Sequence, residues 1–330
     1  MQLEKLGQEI RPIITGNDVA VITDKNVETL YLAQCKRSLE EAGFSVHEFV
    51  VTPGEMSKSG ATYLELVNFL AEIPLTRADA LIALGGGVVG DLTGFAAATY
   101  LRGIKVVQVP TTLLAAVDSS VGGKTAINLP AGKNLVGAFH QPALVCCDPN
   151  TLKTLPESIF RDGMAEVIKY GVIADAQLFH QLKDPKKSAD SIEDIIQKCV
   201  SIKNKFVKQD EHDNSIRQIL NFGHTIGHAI EGASDYQISH GTAVAMGMSH
   251  MADISARQGW CSQQCAEEIQ KVIKAHGFPI EDSLYPKEVL FDIMKADKKR
   301  KGNVIDIVVP ERIGNCRLER VTMEEFEKLL

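Results

Sequence analysis

Short runs of Val, Ile, Leu and Ala alternate with longer amphipathic stretches over the first half of the chain. Val19–Thr23 reads as a strand and Val27–Ala42 as an amphipathic helix closed by Gly43. Phe44–Val51 follows as a second strand and Tyr63–Ala71 as a helix. Ala80–Leu84 is a strand that runs straight into three glycines, and Lys105–Val109 and Leu144–Cys147 complete the set. Strands spaced by helices pair in parallel, so this half predicts a doubly wound α/β sheet.

The period changes after about Pro149. Gly163–Lys183, Ile192–Lys208, Ile216–Glu231 and Ala243–Arg257 show helical spacing with few strand signals. Val304–Pro310 and Cys316–Val321 read as a late hairpin, and the charged stretch Lys183–Asp190, which contains Pro185, as a loop. The expected architecture is a Rossmann-like N-terminal domain, residues 1–150, followed by a mainly α-helical C-terminal domain, residues 151–330. A length of 330 residues supports two domains.

Composition narrows the function classes. The chain is 45% hydrophobic and 23% charged, with a net charge of −7. That balance argues against a nucleic-acid partner, which needs a basic surface. Met1–Gly16 carries charges every few residues and no apolar stretch, so no secretory signal is expected. No run approaches the roughly 18 apolar residues of a membrane span. Seven cysteines, an odd number without a C-x-x-C pair, read as reduced thiols, and the expected compartment is the cytoplasm.

Three groups of residues carry candidate chemistry. The first is Gly85, Gly87 and Gly90, a G-x-G-x-x-G after a strand with Asp91–Leu101 able to continue as a helix. Such a turn brings backbone N–H groups to a pyrophosphate at a helix N-terminus, pointing to a nucleotide. The acidic residue that ordinarily holds a ribose at the end of the next strand is missing, because that strand ends Gln108-Val109-Pro110-Thr111-Thr112. Asp24, at the end of the first strand, is the best-placed substitute. The second group is Asp118-Ser119-Ser120-Val121-Gly122-Gly123-Lys124 with Lys133 and Asn134, where two lysines and a glycine pair fit an anion site. A P-loop fails here, since Asp118 stands where its first glycine belongs.

The third group points to a metal. Glu166 and Lys169 share a helix face among apolar neighbours. His224 and His228 are four apart on one face, and His240 opens another helix. Thr225 stands where H-E-x-x-H needs its glutamate, so a zincin is excluded. Three histidines and a glutamate can supply three ligands to a catalytic zinc, and spacing leaves open which two histidines bind. Six further histidines (47, 140, 180, 212, 250 and 276) have no such company. Arg217, Asn221, His224 and His228 fall on one helical stripe, a poor core face and a good polar-ligand face. Asp297–Lys301, taken alone, is a solvated basic turn.

Together these stretches resemble the 3-dehydroquinate synthase family of sugar phosphate cyclases, over nearly the whole chain. The most specific matches are Gly85–Asp91 (GGGVVGD), Arg102–Lys133, Gly163–Gly171 (GMAEVIKYG) and Asn221–Glu231 (NFGHTIGHAIE). The resemblance implies conversion of 3-deoxy-D-arabino-heptulosonate 7-phosphate to 3-dehydroquinate and phosphate, a step of the shikimate pathway. NAD would transiently oxidise the C5 alcohol, phosphate would leave by β-elimination, and re-reduction and an intramolecular aldol would close the ring. Zinc, cobalt or another divalent ion would assist the first step. Implied metal ligands are Glu166, His224 and His240. Implied cofactor contacts are Asp24, Asn26, Glu55, Lys58, Gly87, Val88, Val89, Gly90, Asp91, Thr111, Thr112, Lys124, Lys133, Thr151, Leu152, Lys153 and Thr154. Implied substrate contacts are Arg102, Lys124, Lys133, Asn134, Lys169, Arg217, Asn221, His228 and Lys298. Asp118, Lys124, Lys169, Asn221 and His228 would act in catalysis. Arg102 would reach the neighbouring active site of a homodimer.

One departure stands out: the family reads His-Gly-Glu after the third metal position, and this chain reads His240-Gly241-Thr242. A carboxylate there would orient the imidazole, so weaker zinc binding or an altered metal preference is expected. Rival readings are a sister cyclase acting on another sugar phosphate, a metal-dependent polyol dehydrogenase, and a non-catalytic scaffold domain. The sister cyclases tend to differ at Asn221 and His228, and the dehydrogenase has no use for the phosphate-binding lysines and Arg217.

Overall fold

A computed structural model describes residues 1–280, 285–298 and 303–330. The chain divides into two compact units, Met1–Pro156 and Glu157–Leu330. The first is built on a five-stranded parallel sheet. Its strands are β1 (Asp18–Asp24), β2 (Ser45–Val51), β3 (Ala80–Gly85), β4 (Lys105–Pro110) and a short fifth strand, Leu144–Val145. The spatial order is β2-β1-β3-β4 and then Leu144–Val145, with Val19 opposite Val46 and Ala80, and Val107 opposite Leu144. These are the five strands expected from the apolar runs.

Both sheet faces are covered, which is why the central residues of β1, β3 and β4 are mostly apolar. Val19, Val21, Ile82, Leu84, Val107 and Val109 point into a core closed by Leu6, Ile10, Cys35 and Leu39. Ala20, Ile22, Leu81, Ala83 and Val106 point the other way, onto Leu66, Leu70, Leu92 and Phe95. The chain leaves β1 toward β2 on one side and returns to β3 on the other. The C-terminal ends of β1 and β3 therefore flank the topological switch point, where open sheets of this kind take their ligands. Asp24 and the glycine turn sit at those two ends.

The glycine-rich segment after Ser120 does not stay a loop. Lys124–Leu129 and Gly132–Phe139 form an antiparallel hairpin, entered through Gly122 and Gly123, both at positive φ.

In the second unit, helices Glu157–Ala174, Ile192–Gln209, His224–Ala233, His240–Arg257 and Gln263–Ala275 carry most of the chain. The expected tail hairpin is present as Val304–Arg312 and Asn315–Thr322. Two expectations fail. Lys183–Asp190 is not a loop: Pro185–Asp190 is helical, because Asp184 accepts hydrogen bonds from the Lys186 and Lys187 amides and Pro185 occupies the first turn. Ile216–Glu231 is not one helix. Ile216–Asn221 is a 3-10 turn, and Gly223 at φ 79° redirects the chain before His224. The single stripe through Arg217, Asn221, His224 and His228 is thus broken.

Gly223 has a second purpose. A Cβ on Gly247 would run into the Gly223 carbonyl oxygen, and one on Gly227 would lie 3.0 Å from the Ala243 carbonyl. The helices bearing His224 and His240 therefore cross with their backbones in contact. Membrane-length apolar helices are absent among the described residues. No disulfide joins the seven cysteines, and burial pushes the Cys146 and Cys265 thiols up to about 12.

Gly247→Ala is expected to lower unfolding free energy by about 1–3 kcal/mol, the ordinary cost of overpacking. Gly60→Ala, whose Cβ would meet open space, is the control, and chemical denaturation compares them. Equal stability of the two variants would show that the helix crossing tolerates a methyl group.

Candidate functional site

The glycine turn opens the helix Gly87–Thr99, whose N-cap, Gly86, is extended and offers no side-chain cap. The leading amides, at Gly87, Val88 and Val89, are those a helix cannot satisfy internally. Gly86 and Gly87 let other chain segments approach, since their Cβ atoms would meet Thr112 at 3.0 Å and Ser119 at 3.1 Å. Gly90 serves packing: a Cβ would lie 2.8 Å from the Gln108 amide oxygen, and Gln108 donates to the Gly90 carbonyl at 3.1 Å. An uncapped helix start at a switch point fits an anionic dinucleotide.

The expected cofactor contacts fall on several elements of the first unit. Lys58 is almost wholly buried, and its ammonium touches the Asp91 carboxylate. Glu55 accepts from the Asn128 amide at 2.8 Å, and Asn128 in turn accepts from the Asn134 backbone at 2.9 Å. Asn128 was not anticipated from sequence. Asp24 caps the helix after β1, accepting from the Asn26 and Val27 amides at 2.9 and 3.2 Å. Thr111 and Thr112 follow β4, with Thr112 accepting from the Ala115 amide at 3.2 Å. Thr151, Leu152, Lys153 and Thr154 form a 3-10 turn tied to the first helical layer through Tyr31, whose hydroxyl lies 3.1 Å from the Thr151 carbonyl and 2.6 Å from the Thr154 hydroxyl.

The metal candidates converge in the second unit. Glu166 is fully buried on the helix Glu157–Ala174, and the Lys169 ammonium, one turn on and itself buried, touches its carboxylate. His224 and His240 each present Nε2 to Glu166 Oε1 at 3.4 Å. Their other ring nitrogens are engaged: His224 Nδ1 lies 3.1 Å from the Phe222 carbonyl, and His240 Nδ1 lies 3.2 Å from Glu231 Oε2. His228 stands at the edge of the cluster, its ring centroid 5.5 Å from that of His224 and 6.0 Å from that of His240.

This donor set fits a divalent cation. With the two Nδ1 atoms donating outward, both Nε2 atoms turn lone pairs toward a carboxylate oxygen. Glu166 meets charged or chargeable groups on both oxygens, the Lys169 ammonium at Oε2 and the two imidazoles at Oε1. Three electron-pair donors facing one another in buried ground need a positive charge among them. Nitrogen and oxygen ligands in a set of three match catalytic zinc, and suit cobalt as well. Of the three histidines, His224 and His240 present a nitrogen to Glu166, whereas His228 groups with Glu231 and His240. Without a cation a proton fills the gap. Burial works to lower the His240 pKa, but hydrogen bonds to Glu166 and Glu231 outweigh it and raise the ring to about 10. Burial works to raise Glu166, yet Lys169 and His224 hold it well below the usual carboxylate range.

Residues expected to meet substrate are divided between the units. Arg102 is exposed in a left-handed conformation, and Asp118 is half-buried. Lys124, Lys133 and Asn134 belong to the hairpin. In the second unit Arg217 is 1% exposed, and the loop before it is organised by Asp210. That carboxylate accepts from the Asn214, Ser215 and Arg217 amides, which hold it at about 2. Asn221 and His228 are exposed. Lys298 ends the helix Lys287–Lys298, and its side chain lies outside the described residues, as does most of the basic run after it. Sequence reasoning missed Lys203, a lysine only 6% exposed on the buried stripe of Ile192–Gln209. Its position four residues from both Cys199 and Val207 was the available signal.

Comparisons with known proteins agree over both units. The family model for 3-dehydroquinate synthase N-terminal matches residues 48–162, and that for 3-dehydroquinate synthase C-terminal matches 163–300. The 3-dehydroquinate synthase of Clostridium acetobutylicum is 43% identical across 99% of this chain and 93% of its own length. That of Enterococcus faecalis is 45% identical, with the same coverage. Among solved structures, 2-epi-5-epi-valiolone synthase from Streptomyces hygroscopicus, with NAD+ and Zn2+ bound, matches with a TM-score of 0.86 at 25% identity, covering 95% of this chain and 90% of that one. A 2-deoxy-scyllo-inosose synthase complexed with carbaglucose-6-phosphate, NAD+ and Co2+ matches at 0.88 and 27%, covering 99% and 93%.

Because His240 is raised, a cation must displace its proton at neutral pH. Apparent zinc affinity should therefore rise by about tenfold per pH unit below the raised value. Competition against a chelator of known proton affinity, at about pH 7 and pH 8, measures it. A flat profile would show that the ring carries no proton to lose.

Proposed function

The chain belongs to the 3-dehydroquinate synthase family, and on that premise we propose that it converts 3-deoxy-D-arabino-heptulosonate 7-phosphate to 3-dehydroquinate and phosphate. It is an enzyme of the phosphate-eliminating, ring-closing kind. The observation that carries the reading is the pairing, in one unit, of a cation-demanding Glu166–His224–His240 set with two buried positive side chains, Lys169 and Arg217. A polyol dehydrogenase would need the first and has no use for the second.

When bound, NAD supplies a reversible hydride acceptor for the C5 alcohol, and a divalent ion held by Glu166, His224 and His240 acidifies that hydroxyl. The chain's own residues bind and orient the substrate. Lys169 keeps the Glu166 carboxylate ionised and contributes a fixed charge next to it. Arg217, buried and always protonated, is suited to an anionic group of the substrate, and the family resemblance assigns Asn221 and Lys298 to the substrate as well. Within the first unit, Lys124, Lys133 and Asn134 are assigned to the substrate as hydrogen-bond donors, with Asp118 as the acidic member of that set. His228, exposed at the edge of the cluster, is assigned to steadying the departing phosphate, which itself takes the C6 proton. The dinucleotide is assigned to Asp24, Asn26, Glu55, Lys58, the Gly87–Asp91 turn, Thr111, Thr112 and Thr151–Thr154.

Assembly as a homodimer, with exposed Arg102 completing the neighbouring site, belongs to the same proposal, as does a place in aromatic amino acid biosynthesis. A cytoplasmic location accords with seven unbridged cysteines.

Incubation with the heptulosonate phosphate, trace NAD and zinc should release phosphate and dehydroquinate in equal amounts with no net NADH. A chelator should abolish release and added metal restore it. Turnover of glucose 6-phosphate or sedoheptulose 7-phosphate instead would assign a sister cyclase, and net NADH from glycerol would assign a dehydrogenase. In the active enzyme, His228→Ala should slow phosphate release by about 100-fold or more, and an undiminished rate would remove His228 from the elimination step.

A further inference from the structure

The sequence raises a question at position 242. A metal-bound imidazole needs a partner at its other nitrogen to fix ring orientation and tautomer, and this chain has Thr242 where the family resemblance leads one to expect a carboxylate. The structure places Thr242 elsewhere. Its amide donates to Asp162 Oδ1 at 3.1 Å, and its hydroxyl lies 2.9 Å from the Ser239 hydroxyl, which donates to the same Asp162 oxygen at 2.5 Å. Asp162 therefore closes the start of the His240 helix, and a glutamate at 242 would set a second negative charge beside it.

The carboxylate that does reach His240 comes from the preceding helix. Glu231 is 4% exposed, a position that a carboxylate occupies only when partnered. Its Oε2 lies 3.2 Å from His240 Nδ1. The same carboxylate, a His228 ring nitrogen and a His240 ring nitrogen all lie within 4.8 Å of one another. Glu231 thus borders both the ring that faces Glu166 and the ring at the edge of the cluster.

We propose that Glu231 is the positioning residue of the cation site: it accepts the Nδ1 proton of His240, leaves Nε2 as the donor toward the cation, and thereby does the work expected of a carboxylate at position 242. The inference rests on the metal reading given above. Glu231 itself contributes no ligand to the Glu166–His224–His240 set. Its effect is on how tightly, and in what geometry, His240 holds the ion.

Zinc affinity, measured by competition with a chromophoric chelator on the full chain, tests this without reference to turnover. Glu231→Gln keeps the size and hydrogen-bonding capacity of the side chain and removes its charge. It should weaken zinc by about 10–100-fold, with Co2+ absorption shifted from wild type. Thr242→Ala should stay within about twofold of wild type, since the Thr242 hydroxyl and amide bond to Ser239 and Asp162. A wild-type affinity in Glu231→Gln, or an equal loss in Thr242→Ala, would overturn the assignment. His240→Ala separates the two layers of argument. Should it bind zinc as wild type does, the metal reading itself fails; should it lose zinc while Glu231→Gln retains it, only the role of Glu231 fails. If Glu231→Gln does not fold, Glu231→Asp, which keeps the charge and shortens the reach, is judged by the same criteria.

Discussion

A carboxylate with no exposure to water is the constraint around which the second unit is organised. Burying Glu166 as an anion costs several kcal/mol unless positive charge accompanies it. Lys169 provides one such charge from the next turn, and two imidazoles provide a place for another. The rest of the local architecture follows from bringing those imidazoles in. His224 and His240 lie on different helices, so the helices must cross closely, and the crossing is possible only because Gly223, Gly227 and Gly247 carry no side chains. Gly223 also turns the chain so that His224 begins its own helix.

The first unit obeys a different logic. Its sheet is buried on both faces, and the apolar character of β1, β3 and β4 is a direct consequence. That is also why these strands were legible as sequence: five short apolar runs, spaced by amphipathic helices, leave little choice but a parallel sheet. The glycine turn was legible for a related reason, since three glycines at a strand end are costly unless backbone must be approached. The structure shows two uses of that freedom, with Gly87 opening the helix and Gly90 seating Gln108.

Other features were hidden from sequence for physical reasons. The break at Gly223 interrupts an apolar period that continues in phase on both sides, so periodicity alone runs through it. The hairpin Lys124–Phe139 is half exposed, with Leu135, Val136 and Phe139 facing outward, and its alternation is too weak to announce a strand. Lys203 and Glu231 look like ordinary charged positions on helices. What marks them is their phase: Lys203 falls in line with Cys199 and Val207, and Glu231 falls four residues after Gly227 on the buried side. The candidate metal set was half legible. Spacing identified His224 and His228 as sharing a face, and only the tertiary fold shows that it is His224 and His240 that meet Glu166.

The hydrogen bonds that fasten Asp162 to Ser239 and Thr242 span 77 and 80 positions of the chain. The proposed ligands are spread as widely, from Glu166 to His240, with no two of them in one short motif. During synthesis, the emerging polypeptide therefore offers a passing metal nothing more than isolated side chains until the stretch around His240 has left the ribosome. By then the helix crossing and the Asp162 clasp can form together. On that ligand set, the ion would be chosen by a finished cage rather than by a growing thread.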